Sequence, residues 1–316
     1  MALFELFSHP ELRRYKVSVF SKATLFVLGI FLLTFIPPLV MVYRSYGFWL
    51  RESTYREQPT VAFKKEFMLL LDVQSQSSGT FETISYSTFQ QFNQLIGSQI
   101  RIPVTKVRED DVNNDGKSDR LILNIAVPMT PGDHVVGAKL LLFFYYKLTR
   151  YSKFHMESLG YIEYDSPIPG AQLDVFADLT LNQNQLLRDK GLDTRYNGSL
   201  VNRTSFFASD YSLSNILKTY KDRNITTVLE DTKNVWIGGR AADFPFVISA
   251  MINYPEQQII YSTGFWYMIK WGWVQYASFL VVFMYLFDKM KVFVFQQQMV
   301  PSVVQSSTSS DNKKVY

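Results

Sequence analysis

A membrane protein with two transmembrane helices and a mostly β, antiparallel, sandwich-like exoplasmic domain is the fold class that the sequence predicts. Three observations predict it. Residues Ala23 to Tyr43 form an uncharged apolar run, a second uncharged run lies between Trp271 and Phe287, and between the two, apolar residues recur at period two.

The first run, ATLFVLGIFLLTFIPPLVMVY, holds about 21 residues, enough at about 1.5 Å per helical residue to cross a ~30 Å hydrocarbon core. It runs on through Phe35, Ile36 and Leu39 to Tyr43 without a small-x-small cleavage site, so it reads as a retained anchor and not as a signal peptide. Pro37 and Pro38 near its far end mark a helix boundary. The segment before it carries Arg13, Arg14, Lys16 and Lys22 against Glu5 and Glu11, a basic flank that belongs in the cytoplasm. Arg44, Arg51 and Arg56 nearly cancel that bias, and the second run decides the orientation. Extended back to Phe265, it starts in a belt of Trp266, Tyr267, Trp271, Trp273 and Tyr276, with Lys270 able to snorkel, and it ends at Asp288, Lys289 and Lys291. The expected organisation is therefore a cytoplasmic segment 1–22, helix 23–43, an exoplasmic domain 44–264, helix 265–287 and a largely disordered cytoplasmic tail 288–316.

Composition narrows the function. The 316 residues are 47% apolar and 16% aromatic, enough for one sizeable core besides the spans. A net charge of +4, with basic residues scattered among nearly as many carboxylates, gives no footprint for nucleic acid. The absence of cysteine excludes disulfides, thiolate metal sites, a cysteine nucleophile and palmitoyl anchoring.

Within 44–264, Leu173, Val175, Ala177, Leu179 and Leu181 alternate with polar residues, with Phe176 the exception. Similar patterns run through Val61, Phe63, Phe67, Leu69, Leu71 and Val73, through Leu121, Leu123, Ile125 and Val127, and through Phe246, Ile248, Ala250, Ile252 and Tyr254. Leu140 to Tyr146 is wholly apolar but too short to span a bilayer, so it predicts a strand buried on both faces. Leu213, Ile216, Leu217 and Tyr220 predict one helix with Ser212 as its cap. Pro167, Pro169 and Gly170, among other breakers, read as boundaries between strands.

Three sequons, Asn197-Gly-Ser199, Asn202-Arg-Thr204 and Asn224-Ile-Thr226, fall on the predicted exoplasmic side and are candidate N-glycosylation sites. Asp111, Asn113, Asp115 and Asp119 place oxygens at positions one, three, five and nine of a loop with Gly116 at six, and Lys117 adds a backbone carbonyl. That pattern suits Ca²⁺, the one candidate cofactor. Ile122 stands where an EF-hand needs a glutamate, and a tight turn at Asn114-Asp115-Gly116 explains the same residues without metal. Catalytic machinery is not expected. His9, His134 and His155 form no HExxH pair, GxSxG elbow and glycine-rich phosphate loop are absent, and the Glu109-Asp110-Asp111 cluster fits a solvated turn.

The strings ELFSHP at Glu5–Pro10, GFWL at Gly47–Leu50, EQPTV at Glu57–Val61, DGKSD at Asp115–Asp119, GLDTRYN at Gly191–Asn197, GRAAD at Gly239–Asp243, GFW at Gly264–Trp266 and WVQY at Trp273–Tyr276 together resemble the transmembrane protein 231 family. The resemblance runs to about Gln298 and leaves the tail uncovered. It implies a structural subunit of the ciliary transition-zone complex called tectonic-like or Meckel syndrome. Tectonics, B9-domain proteins and other membrane subunits would be its partners in a barrier to membrane-protein entry that supports ciliogenesis and Hedgehog signalling. It brings no catalytic residues. Membrane lipid is the partner that the spans themselves require. Two other classes stay open on the residues alone: a two-pass channel or accessory subunit of a transporter, and a calcium-dependent ligand-binding ectodomain.

Overall fold

The computed structural model describes residues 13–45, 47–75, 79–97 and 100–306. They form two compact units, one from the two ends of the chain and one spanning Glu52–Gly264.

The end unit holds strand β1 (Arg13–Lys16), helix α1 (Lys22–Arg44), helix α4 (Phe265–Gln296) and strand β13 (Val303–Ser306). Ser21 caps α1, its Oγ accepting from the Thr24 amide at 3.3 Å. The first predicted span is met within one residue at each end, but Pro37 and Pro38 lie inside the helix and do not end it. The proline rings cost the Leu33 and Thr34 carbonyls their helical donors, a loss α1 tolerates for its last two turns. Helix α4 outruns the predicted 265–287 by nine residues and ends at Gln296. Its extra turns end in β13, which pairs antiparallel with β1 from Arg13↔Ser306 to Lys16↔Val303. A short β pairing thus joins the segment before α1 to a stretch of the tail where disorder was expected. Residues 307–316 lie outside the described residues. Among the described residues, α1 is the one helix long and apolar enough by itself to cross a membrane. The aromatic start of α4, and Asp288, Lys289 and Lys291 in its last third, dilute its apolar character.

The second unit is mostly β. Its strands are β2 (Glu52–Glu57), β3 (Thr60–Ser75), β4 (Phe81–Ser87), β5 (Val104–Asp110), β6 (Arg120–Val127), β7 (Asp133–Leu148), β8 (Lys153–Gln183), β9 (Leu192–Tyr196), β10 (Ile225–Gly238), β11 (Phe246–Asn253) and β12 (Gln257–Ser262); helices α2 (Gln90–Ile96) and α3 (Leu213–Lys221) complete it. The sandwich expectation is corrected. Nine strands form one continuous sheet, ordered β4-β3-β7-β8-β11-β6-β5 with β9 and β10 also on β8, and it curls into an open half-barrel. Most pairs are antiparallel, but β8 runs parallel to β11 and to β9.

Strand β8 is the reason. Its first part pairs with β7 without a break as far as Asp165 and once more, after a register shift, at Gly170, from which point its second part pairs with β10 and β11. The exchange of partners falls on Pro167 and Pro169, which lack the N–H a continuous ladder would need. The prolines that read as a strand boundary are thus a bend within one strand 31 residues long. Further curl comes from bulges in β3 between Phe63 and Glu66 and in β10 between Glu230 and Lys233, with Lys65 and Asp231 at positive φ.

Two apolar clusters occupy the two faces. The larger takes Val61, Leu69, Leu71, Leu123, Ile125, Leu140, Leu142, Phe144, Leu173, Val175, Phe246 and Ile248 from the inner face. The smaller, with Met68, Leu141, Phe143 and Leu159 from the sheet and Phe92, Ile216 and Tyr220 from α2 and α3, covers the other face of β3, β7 and β8. Leu140 to Phe144 is therefore buried on both sides, as its unbroken apolarity predicts, whereas Tyr145 is 46% exposed. Phe176, the odd residue in the alternation of β8, points away from the core and is exposed. Helix α3 forms as expected, with Ser212 at the cap position but without a side-chain cap hydrogen bond. Strands β2 and β12 pair with each other, so the chain enters and leaves this unit side by side.

Candidate functional site

The acidic loop joins β5 to β6, between strands as expected. Its geometry is that of a turn capped by its own side chains. Asp111 accepts from the Asp115 amide at 3.2 Å and the Gly116 amide at 2.9 Å, Asn113 Oδ1 from Asp115 at 3.0 Å, and Asp115 Oδ1 from Lys117 at 2.8 Å. Asn114 and Gly116 take φ of 57° and 84°, the left-handed conformations that such a turn demands. Asp119 accepts from the Val112 and Asn113 amides through Oδ2, and its Oδ1 accepts from Gln58 Nε2 at 2.6 Å. Lys117 sends Nζ to the Gln58 carbonyl at 2.9 Å. The loop is thereby strapped to the β2–β3 junction across the open side of the half-barrel, and Glu109 adds a second tie by accepting from the Phe63 amide at 2.8 Å.

Of the five residues proposed for Ca²⁺, Asp111, Asn113, Asp115 and Asp119 lie together and accept from amides of the loop, while Lys117 donates to Asp115 and to the Gln58 carbonyl. Among the described residues no group of three or more His, Cys, Asp or Glu side chains is placed to hold a metal ion. Titration calorimetry of the purified chain decides the metal reading: a saturable Ca²⁺ heat abolished by Asp115→Ala would support it, and no heat would leave the loop a self-capped turn. Hydrogen bonds from Gln58 and the Val112 amide hold the Asp119 carboxyl below its ordinary value of 3.8. Because the folded value is the lower one, the strap's contribution is complete above about pH 3.8 and lost as the pH falls through the folded value. Asp119→Ala should remove hydrogen-exchange protection from the Val112 and Asn113 amides at neutral pH, and unchanged protection would show that the strap is not the loop's anchor.

The three sequon asparagines are all exposed. Asn224 ends the α3–β10 connection, and its Nδ2 donates to Gln185 Oε1 at 3.3 Å. Asn197 and Asn202 lie on the segment between β9 and α3 and line one shallow cleft of about 750 Å³ with Tyr145, Lys64 and Glu157. The β3 bulge builds the cleft's floor. It turns Lys64 inward, where its side chain is 3% exposed, and pairs it with Glu157, whose side chain is 5% exposed, and with Glu66 at 3.1 Å. Arg203, inside the second sequon, reaches Glu66 at 2.9 Å, and the Leu200 amide donates to Glu157 Oε1 at 3.0 Å. This buried ion group was not foreseen. Its trace in the sequence is Lys65, a charge at a position that the alternation of β3 assigns to the core.

The remaining candidates do not converge. His134 sits opposite Gln74 and His155 opposite Lys147, towards opposite ends of β7, and His9 lies outside the described residues. Asp110 is spent on Arg108 at 2.8 Å and Arg120 at 3.1 Å. In the end unit, α1 and α4 pack antiparallel: Phe26 meets Phe295, and Tyr276 Oη donates to the Phe35 carbonyl at 3.4 Å. The polar side chains of these helices turn to backbone, Thr34 to Ile30, Ser278 to Val274 and Gln275 to Gly47. Gly272 packs on Phe48, whereas a Cβ on Gly29 would meet nothing within 4 Å.

A curled β-sheet unit carried in sequence between two long helices, the first of them a candidate membrane span, is the class of protein so defined. The chain belongs to the transmembrane protein 231 family, whose model matches residues 1–304. It is 49% identical over 303 residues to "Transmembrane protein 231" of Xenopus tropicalis, covering 96% of each chain. It is 49% identical over 299 residues to the Gallus gallus protein of that name, with 94% of this chain and 92% of the other covered, and 47% identical over 303 residues to the Homo sapiens one, with 96% and 95% covered.

Proposed function

We propose that this chain is a two-span scaffolding subunit of the ciliary transition-zone membrane complex, in which α4 is the second crossing, both termini are cytoplasmic and the β unit is exoplasmic. Family membership over residues 1–304 carries the reading. Its partners are tectonics, B9-domain proteins and other membrane subunits, and its work is done by interfaces and not by catalysis. Two features of the end unit support helix packing over conduction: Thr34 and Ser278 donate to backbone carbonyls of their own helices, and Gly29 leaves an open place on α1 for a neighbouring helix.

Imaging of a tagged copy in ciliated cells should show it coincident with a transition-zone marker, and its loss should deplete partner subunits and let plasma-membrane proteins leak into cilia. Normal ciliary composition in cells without the chain would overturn the proposal. Gly29→Leu should lower co-purification with partner subunits while leaving membrane insertion intact; unchanged co-purification would show that this face of α1 does not mediate assembly.

A further inference from the structure

We propose that the cleft between the β3 bulge and the β9–α3 segment is a carbohydrate cradle, in which the first sugars of an N-glycan on Asn202 pack against Tyr145. The inference rests on the exoplasmic placement of the β unit, which makes its sequons substrates for glycosylation.

Three observations carry it. Asn202 has the local geometry of a presented acceptor: its Oδ1 accepts from the Thr204 hydroxyl at 3.0 Å and the Thr204 amide at 3.3 Å, which fixes the carboxamide and leaves Nδ2, the atom that takes the sugar, without a hydrogen bond among the described residues. The turn that presents it is held from two sides. The Ser205 amide closes back on the Asn202 carbonyl at 3.2 Å, and Arg203 and the Leu200 amide fasten the flanking residues to Glu66 and Glu157. A glycan on this asparagine therefore leaves a fixed point in a fixed direction, unlike one on a mobile loop.

The cleft beside it has the chemistry of a sugar site. Tyr145 is the exposed aromatic residue at an end of β7 where its neighbours Phe143, Phe144 and Tyr146 are buried, and Lys64 Nζ lies 5.0 Å from its ring centroid. An aromatic ring bordered by ionic groups is what a pyranose accepts, its C–H face on the ring and its hydroxyl and acetamido groups towards the charges. Tyr145 and Asn202 line the same cleft, whose roughly 750 Å³ is ample for the two innermost N-acetylglucosamine units. A seated glycan would also keep water from the Lys64–Glu157 pair. In this way the modification becomes part of the packing and not a decoration of the surface. Asn197 lines the cleft as well, whereas Asn224 does not, so Asn224 is the internal control.

The test uses the full chain made in mammalian cells and purified in detergent. Glycopeptide mass spectrometry after native and denaturing treatment with peptide N-glycosidase gives the occupancy and release rate at each asparagine. Asn202 should be occupied, and its glycan should come off the native protein about two- to tenfold more slowly than that on Asn224, the range that one aromatic contact provides. Tyr145→Ala should abolish the delay and Tyr145→Phe should keep it, with equal expression of both variants showing that the fold is intact. Equal native release at the two sites, or a delay that survives Tyr145→Ala, would overturn the cradle while leaving glycosylation standing. An unmodified Asn202 would overturn both.

Discussion

Glu157→Ala should destabilise the β unit by about 3 kcal/mol, because it strips the partner from a lysine that the fold has already taken out of water. Lys64 is 3% exposed at its side chain and lies between Glu157 and Glu66. Glu66, at 3.1 Å, still offsets part of the charge, which keeps the cost at the lower end of the range for broken buried pairs. The substitution also orphans the Leu200 amide and so releases one end of the sequon turn. Thermal unfolding of the purified chain should fall by about 6 °C or more. Replacing both partners, Lys64→Met with Glu157→Leu, should recover most of that loss, since an apolar pair leaves no charge unpaired. A double variant as unstable as Glu157→Ala would show that the cost lies in packing or in the orphaned Leu200 amide and not in the stranded charge.

The second large effect is expected at Gly170, where β8 leaves β7 and takes up β10. A Cβ there would lie 2.3 Å from the Trp236 ring. The indole has no easy retreat, because its Nε1 donates to the Ile168 carbonyl at 2.8 Å and its ring packs between Tyr164 and Phe246 at 5.4 and 5.6 Å. Gly170→Ala should therefore cost about 2–3 kcal/mol by overpacking. Gly137→Ala supplies the contrast. Its Cβ would also fall at 2.3 Å from a neighbour, but that neighbour is the Asp165 carboxylate, a side chain that can rotate away. We expect it to be near neutral. Equal losses in the two variants would show that backbone adjustment, and not the wedged ring, sets the cost.

Much of this protein was legible in the sequence because its signals are local. An uncharged run sets α1 within a residue, since hydrocarbon tolerates no other pattern over that length. Alternation names the inner face of β3, β6, β8 and β11, and the unbroken apolarity of Leu140 to Phe144 foretells a strand covered on both sides. The eight strings that resembled the transmembrane protein 231 family led to the family that the comparison shows. The strand-flanked position of the acidic loop was legible too, and so were the sequons.

What holds the loop and the second sequon in place was decided by residues far away in the chain. The partners of the acidic loop are Gln58 and the β2–β3 junction, about sixty residues before it, and Glu157 meets Lys64 from 93 positions away. No local period encodes such pairs. The same holds for β8: two prolines end a strand if read one residue at a time, but a sheet that offers new partners on the far side lets the strand continue through them. Local hydrophobic period determined which residues face inward. Only the closure of the sheet, where backbone hydrogen bonds must be satisfied between distant segments, decided that those faces belong to one curled half-barrel and not to two stacked sheets.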